Sequence, residues 1–267
     1  MRRRRFPIAW CLSGTLLAGA LLAMAAFAQT LPTAPATTTA PAAAAIAPVS
    51  RELAPFHARY AVFRDGKQMG DATLQLVSLE KARWRVDLRI EATRGLLGLA
   101  GLDLQQSTLF DLADTRYRPL TQSSVRRMLF GKRIVTGVYD WPQGTAHWTG
   151  DVKKTRRAPV ALRAGDMSGL LINLAVLRDA APGAVLHYRF VDEGRAREQQ
   201  YRVALAREPQ TVDDLAYDAL RVDRLRAGGE EATTFWVVES VPTPIRILQR
   251  DDDGELLELR LIDYQEV

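Results

Sequence analysis

Gly165-Asp166-Met167-Ser168-Gly169-Leu170-Leu171-Ile172-Asn173-Leu174-Ala175-Val176-Leu177-Arg178 is the one strong helical signal in a chain whose other periodic segments alternate every second residue. Met167, Leu170, Leu171, Leu174 and Leu177 recur at the i, i+3, i+4, i+7 spacing that lines one face of a helix. The spacing predicts a helix over about 166–178, with Asp166 capping the first free N–H groups and Pro182-Gly183 ending the run. Such a stripe must be buried, and the surface available to it is the concave face of a sheet built from the surrounding strands.

Those strands are legible on both sides of the helix. Phe56, Ala58, Tyr60 and Val62 alternate with polar or small residues, and Arg64-Asp65-Gly66-Lys67 follows as a tight hairpin turn. A second strand returns over about 69–79. The third sets Trp84, Val86, Leu88 and Ile90 on one face against Arg83, Arg85, Asp87, Arg89 and Glu91 on the other, the one-side-wet pattern of an antiparallel sheet. Further strands are expected at about 103–112, 120–128, 132–141 and 145–149, and beyond the helix at 186–191, 199–206, 217–225, 233–239, 245–250 and 256–264. Pro242 and Pro244 cannot donate ladder hydrogen bonds, so they separate two of these strands. The fold class is therefore mainly β: a strongly curved antiparallel sheet or partial barrel with one main helix on its concave face.

The first 52 residues read differently. Arg2 to Arg5 form a basic start, Ile8 to Ala26 an apolar run, and Ala26-Phe27-Ala28 a small-residue cleavage signal, so residues 1–28 are expected to be a signal peptide for the general secretory route to the periplasm. Retention of the run as a membrane anchor is the alternative. Residues 29–52 are rich in Ala, Pro and Thr and read as a disordered linker, leaving 53–267 as a single β-rich domain. The lone Cys11 lies inside the signal, so the processed chain has no thiol for disulfides, nucleophilic chemistry or metal ligation. Loss of four arginines lowers the formal net charge from +5 to +1, which argues against nucleic acid as a partner. No transmembrane segment is expected once the signal is removed.

Tyr60-Ala61-Val62, Gly66 and Met69-Gly70-Asp71-Ala72, Gly165-Asp166-Met167-Ser168, Phe235-Trp236-Val237, Pro244-Ile245-Arg246 and the run from Gly254 to Leu261 together resemble the DUF3108 family of exported bacterial proteins. The resemblance spans about 56–264. It implies no established activity. It implies an architecture similar to the half-barrels of periplasmic lipoprotein carriers, which is a likeness of fold and does not fix function.

Candidate sites follow from residue type and spacing. His57, His147 and His187 stand alone on separate strands without metal-ligand spacing, Ser168 lacks a nucleophile-elbow context, and neither cofactor nor metal is expected. If Gly254 took the sixth place of a calcium loop in the acidic run from Asp251 to Glu255, the twelfth would be Arg260, so a hairpin turn is the better reading. Arg126, Arg127, Lys132 and Arg133 flank a turn, and Lys153, Lys154, Arg156 and Arg157 follow two strands later. Brought together they would bind anions or an acidic partner; a solvated basic edge that discourages strand pairing is the other reading. Leu96, Leu97, Leu99 and Leu102 form an apolar lip that could gate a cavity walled by Trp84, Ile90, Leu171, Leu174 and Trp236. Against the cavity stands a concavity filled by the helix itself.

These observations lead to a non-enzymatic periplasmic binder or carrier of an apolar, lipid-like envelope molecule. The alternative is a structural or protein-interaction component of the envelope with a solid core and no small ligand.

Overall fold

The structure is a computed structural model that describes residues 53–95, 102–129, 131–212, 214–226, 231–250 and 254–267. They belong to one compact unit, Ser50–Val267, which contains its own sheet and core. The expected signal and linker, the 96–101 part of the leucine lip and the acidic run at 251–253 lie outside the described residues.

The first eight strands form a meander: β1 (Phe56–Arg64), β2 (Lys67–Leu79), β3 (Arg83–Ala92), β4 (Asp103–Ala113), β5 (Arg116–Met128), β6 (Gly131–Asp140), β7 (Thr145–Gly150) and β8 (Val160–Ala161). After β9 (Asp166–Met167) comes the helix α1 (Gly169–Asp179), and a second meander follows: β10 (Val185–Asp192), β11 (Arg195–Val212), β12 (Leu215–Leu225), β13 (Glu231–Val237), β14 (Arg246–Arg250) and β15 (Leu256–Glu266). The two meanders join where β1 pairs with β15, giving one 15-stranded sheet in the order β8-β7-β6-β5-β4-β3-β2-β1-β15-β14-β13-β12-β11-β10-β9. All neighbours run antiparallel except β9 and β10.

This order forces the curvature. The edge strands β8 and β9 are separated in sequence by four residues, 162–165, which can span at most about 17 Å. Laid flat, a sheet of 15 strands would set them about 67 Å apart. The sheet has to curl until its two edges almost meet, and it is an open barrel because no ladder among the described residues joins β8 to β9.

Alternation then decides what goes inside. Phe56, Ala58, Tyr60 and Val62 on β1 face inward, as do Val86, Leu88 and Ile90 on β3, while their sequence neighbours face water. The turn after β1 is the two-residue hairpin that the sequence predicts, with Asp65 and Gly66 both at positive φ (47° and 76°).

The helix differs from expectation in two ways. It begins at Gly169, because Ser168 is the N-cap and its Oγ accepts from the Leu171 N–H, while Asp166 and Met167 belong to β9. It is also buried on nearly all sides, since Leu170, Leu171, Ile172, Leu174, Ala175, Val176 and Leu177 point in every direction around the axis. A helix that is apolar all round is engulfed by its surroundings rather than laid on a surface. Thr108, on the inward face of β4, hydrogen-bonds Ser168 at 2.9 Å, and Arg178 at the other end of the helix lies over the Tyr117 ring of β5. Further round the barrel, the 241–245 stretch packs against the inward face of β1. Thr243 and Ile245 are fully buried there, and the Tyr60 hydroxyl contacts Thr243 Oγ1 at 2.5 Å and donates to the Pro244 carbonyl at 2.9 Å.

Candidate functional site

Three regions carry candidate chemistry, two of them answering to sequence-derived sites, and the interior is the first. Ile90 and Leu102 lie near the rim where β3 ends and β4 begins, with Ala92 N–H bonded to the Leu102 carbonyl. Trp84 shares their face but sits at the opposite end of β3, across from Phe110. Leu171 and Leu174 project from α1 into the core. Trp236 does not join them: it occupies the face of β13 opposite Phe235, outside the barrel, where its Nε1–H donates to Glu208 Oε1 and Arg246 stacks on its ring 4.5 Å from the centroid. Leu96, Leu97 and Leu99 lie outside the described residues.

A side chain that borders a space wide enough for water keeps accessible surface. Leu171 keeps 0 %, and Ile90, Leu174 and Leu102 keep 3, 5 and 7 %. These four side chains are therefore covered by protein, with Leu171 closed off completely.

The second region is the seam between the two sheet edges, which sequence reading missed. The β10–β11 turn has Glu193 and Gly194 at φ of 44° and 71°, a two-residue hairpin whose tip inserts between β5, β6 and the short 3-10 turn at Lys154–Arg156. Only glycine fits at 194, because a Cβ there would lie 1.9 Å from the Arg156 carbonyl oxygen. Behind the tip, the Tyr139 hydroxyl lies 2.5 Å from Gln122 Oε1 and 2.7 Å from the Val191 carbonyl, so two acceptors share its one proton. Gln122 Nε2 donates to Asp192 Oδ1. Arg133 donates to Glu193 Oε2 at 2.8 Å, and the buried Arg156 reaches the same oxygen at 3.7 Å. Along the seam, Arg189 of β10 pairs with the buried Asp166 at 2.5 Å and reaches the Ala161 carbonyl of β8 at 3.4 Å.

Burial and the neighbouring Glu193 carboxylate push the Asp192 acid up to about 6, against the opposing pull of Gln122 and Arg133. Burial, with the Asp192 and Asp166 charges, drives the Tyr139 phenol well above its usual value. The Asp-Glu-Gly run at 192–194 could have signalled the turn, but nothing local reveals that its acids meet Arg133 and Arg156, some forty to sixty residues earlier in the chain.

The third region is the basic edge. Register sets Arg126 opposite Arg133 and Arg127 opposite Lys132 on the β5–β6 hairpin. Lys153, Lys154 and Arg157 are exposed on the neighbouring 3-10 segment, which adjoins Arg133 through an Arg133 Nε–H to Asp151 carbonyl contact of 3.4 Å. The structure thus brings most of the expected patch to one end of the barrel. Arg156 is the exception. It is 7 % exposed and serves the seam.

His57, His147 and His187 sit on β1, β7 and β10, and among the described residues no group of three His, Cys, Asp or Glu side chains is placed to hold a metal ion. No helix among the described residues is long and apolar enough to cross a membrane.

Comparison with solved structures finds a β-barrel-like protein of domain of unknown function DUF1849 from Brucella abortus, similar over 81 % of this chain and 99 % of that one, with 12 % identity and a TM-score of 0.51. A DUF1089 family protein from Pseudomonas aeruginosa aligns over 69 % of this chain and 88 % of that one at 14 % identity and a TM-score of 0.34. No curated protein matches. The Brucella likeness is one of fold alone, and it agrees with the curled sheet described above. The DUF3108 description, a protein of unknown function, matches residues 56–261, nearly the whole of the sheet, and the chain belongs to that family.

Proposed function

We propose that the chain is an exported, non-enzymatic component of the bacterial cell envelope that works through its surface, with a core already filled by its own helix. The observation that supports this reading is the absence of accessible surface on Leu171, Ala175 and Val176, three side chains on different faces of the helix. A ligand would have to displace α1 first. The export part rests on the basic, apolar and small-residue order of residues 1–28.

A second reading, a carrier of an apolar or amphipathic envelope molecule, is favoured by one specific feature. The helix follows β9, and the gap between β9 and β8 is crossed by a side chain, Arg189 of β10 to the Ala161 carbonyl, rather than by a ladder, so parting that gap would open a way to α1. Native mass spectrometry of the protein recovered from its own periplasm separates the two. A clean polypeptide mass beginning at Gln29, unchanged in thermal stability by detergent or phospholipid, supports the filled-core reading. A lipid-sized adduct overturns it in favour of the carrier, and recovery with residues 1–28 attached overturns cleavage of the export signal.

A further inference from the structure

The β5–β6 hairpin carries an unusual pairing. Arg126 faces Arg133 and Arg127 faces Lys132, so two successive rungs place cation against cation. Like charges directly opposite one another destabilise a hairpin. Nearby acids offset part of the charge: Asp103 lies 3.7 Å from Arg127, and Glu193 accepts from Arg133. Lys132 is exposed, and Lys153, Lys154 and Arg157 add three exposed cations beside Arg133. Around the hairpin these cations outnumber the two acids.

Beyond the two rungs, at the apex, come Met128 and Leu129, 38 % and 62 % exposed. A hairpin tip needs no large apolar side chains, and turn chemistry favours Gly, Asn and Asp there. The arrangement is layered along the hairpin axis, with apolar residues outermost and cations behind them. A phospholipid bilayer has the matching layers, hydrocarbon within and anionic phosphates above it. Nucleic acid or an acidic protein would satisfy the cations and leave the two apolar side chains in water.

We propose that the β5–β6 tip is a membrane-docking wedge: Met128 and Leu129 enter the headgroup boundary of an anionic bilayer while Arg127, Lys132, Lys153, Lys154 and Arg157 meet its phosphates. The Arg127–Asp103 register places this tip on the rim where β3 ends and β4 begins, far from the rim at Trp84 and the end of α1, so docking fixes which mouth of the barrel faces the lipid. Buried apolar area and electrostatic attraction to anionic lipid add in such an interface. The proposal goes beyond the surface-acting function suggested above and stands apart from it, because vesicle binding by the purified unit depends on neither export nor the state of the core.

The test is co-flotation of residues 50–267 with vesicles of phosphatidylcholine plus phosphatidylglycerol and with vesicles of phosphatidylcholine alone. The unit should float with the anionic vesicles, be released by high salt, and stay behind with the neutral ones. Lys132→Gln should weaken partitioning about fivefold, the effect of one cation at an anionic surface. The double variant Met128→Gln with Leu129→Gln should lose binding with an unchanged circular dichroism spectrum and thermal midpoint, since both side chains are exposed. No flotation of the wild type, equal flotation with neutral vesicles, or full binding by the folded double variant would each overturn the wedge. Binding to polyanionic DNA or to an acidic polypeptide that the double variant retains would reassign the cations to that partner.

Discussion

The wall and the seam of this barrel are built on different principles. Between β8 and β9, going the long way round, every neighbour is joined by a backbone ladder, and register is set by alternation that puts Phe56, Tyr60, Leu88 and Phe235 inside. Across the short gap the two ends of the sheet are held by side chains: Arg189 to the Ala161 carbonyl, Gln122 to Asp192, Tyr139 to the Val191 carbonyl, Arg133 and Arg156 to Glu193. A ladder tolerates substitution at most positions because the backbone makes it. A seam of this kind depends on particular residues, and its strength changes with their protonation.

The largest expected effect tests the wall and its filling. Leu171→Ala removes a fully buried side chain from the helix and should lower global stability by roughly 2–5 kcal/mol in urea unfolding, with an unchanged m-value. If the loss is below 1 kcal/mol, the interior is not packed as described.

The next tests the seam through pH. Asp192 ionises near 6 in the folded chain and at its ordinary lower value when unfolded, so the folded state holds the proton more tightly. Its contribution is present below the ordinary carboxylate range and is lost as pH rises through about 6. Relative to Asp192→Asn, the wild type should lose stability over that window, by on the order of 3 kcal/mol if the full shift is expressed. Parallel curves for the two proteins would remove Asp192 from the seam's energetics. The exterior supplies a contrast of opposite sign. Burial pushes the Glu258 carboxyl up, but the hydrogen bonds and charges of Arg260 and Arg246 outweigh it and hold the group below its usual value. Its share of stability is present at neutral pH and is lost as pH falls through that depressed value.

Gly194→Ala should cost about 1–3 kcal/mol for the left-handed backbone, with an added clash against the Arg156 carbonyl. Hydrogen exchange should rise at residues 154–156 and 190–195 while the β1–β15 ladder stays protected, which locates the damage at the seam. Tyr139→Phe removes one hydroxyl and should cost about 1 kcal/mol. The smallest effect is expected at Leu205, 86 % exposed on β11, where Leu205→Ser should change stability by less than about 0.5 kcal/mol.

The same contrast explains what could be read from the chain alone. The wall's strands announce themselves by period, so the alternation from Arg83 to Glu91 gave both the strand and its buried face. β8 and β9, two residues each, are too short to carry a period, and the closure they define escaped notice. The spacing starts the helix three residues early, because Asp166 and Ser168 are both good caps, and the choice between them comes from tertiary contacts: the β9–β10 pairing and Arg189 hold Asp166, and Thr108 meets Ser168. Trp236 was placed inside because residues 232–237 are apolar or small on both faces of β13, which leaves no polar face to fix the register. The β5–β6 cations were legible as a group, whereas the burial of Arg156 depends on a turn distant in sequence.

One consequence of the topology concerns time. Arg59 of the first strand binds Asp263 of the last, 204 positions away. Contacts of such long separation form late, since the intervening chain must be ordered before they repay its entropy. During synthesis β1 has no native neighbour on that side, and its open edge stays exposed to mispairing until the final residues emerge. The join between the two meanders is therefore completed only when the far end of the chain returns to β1.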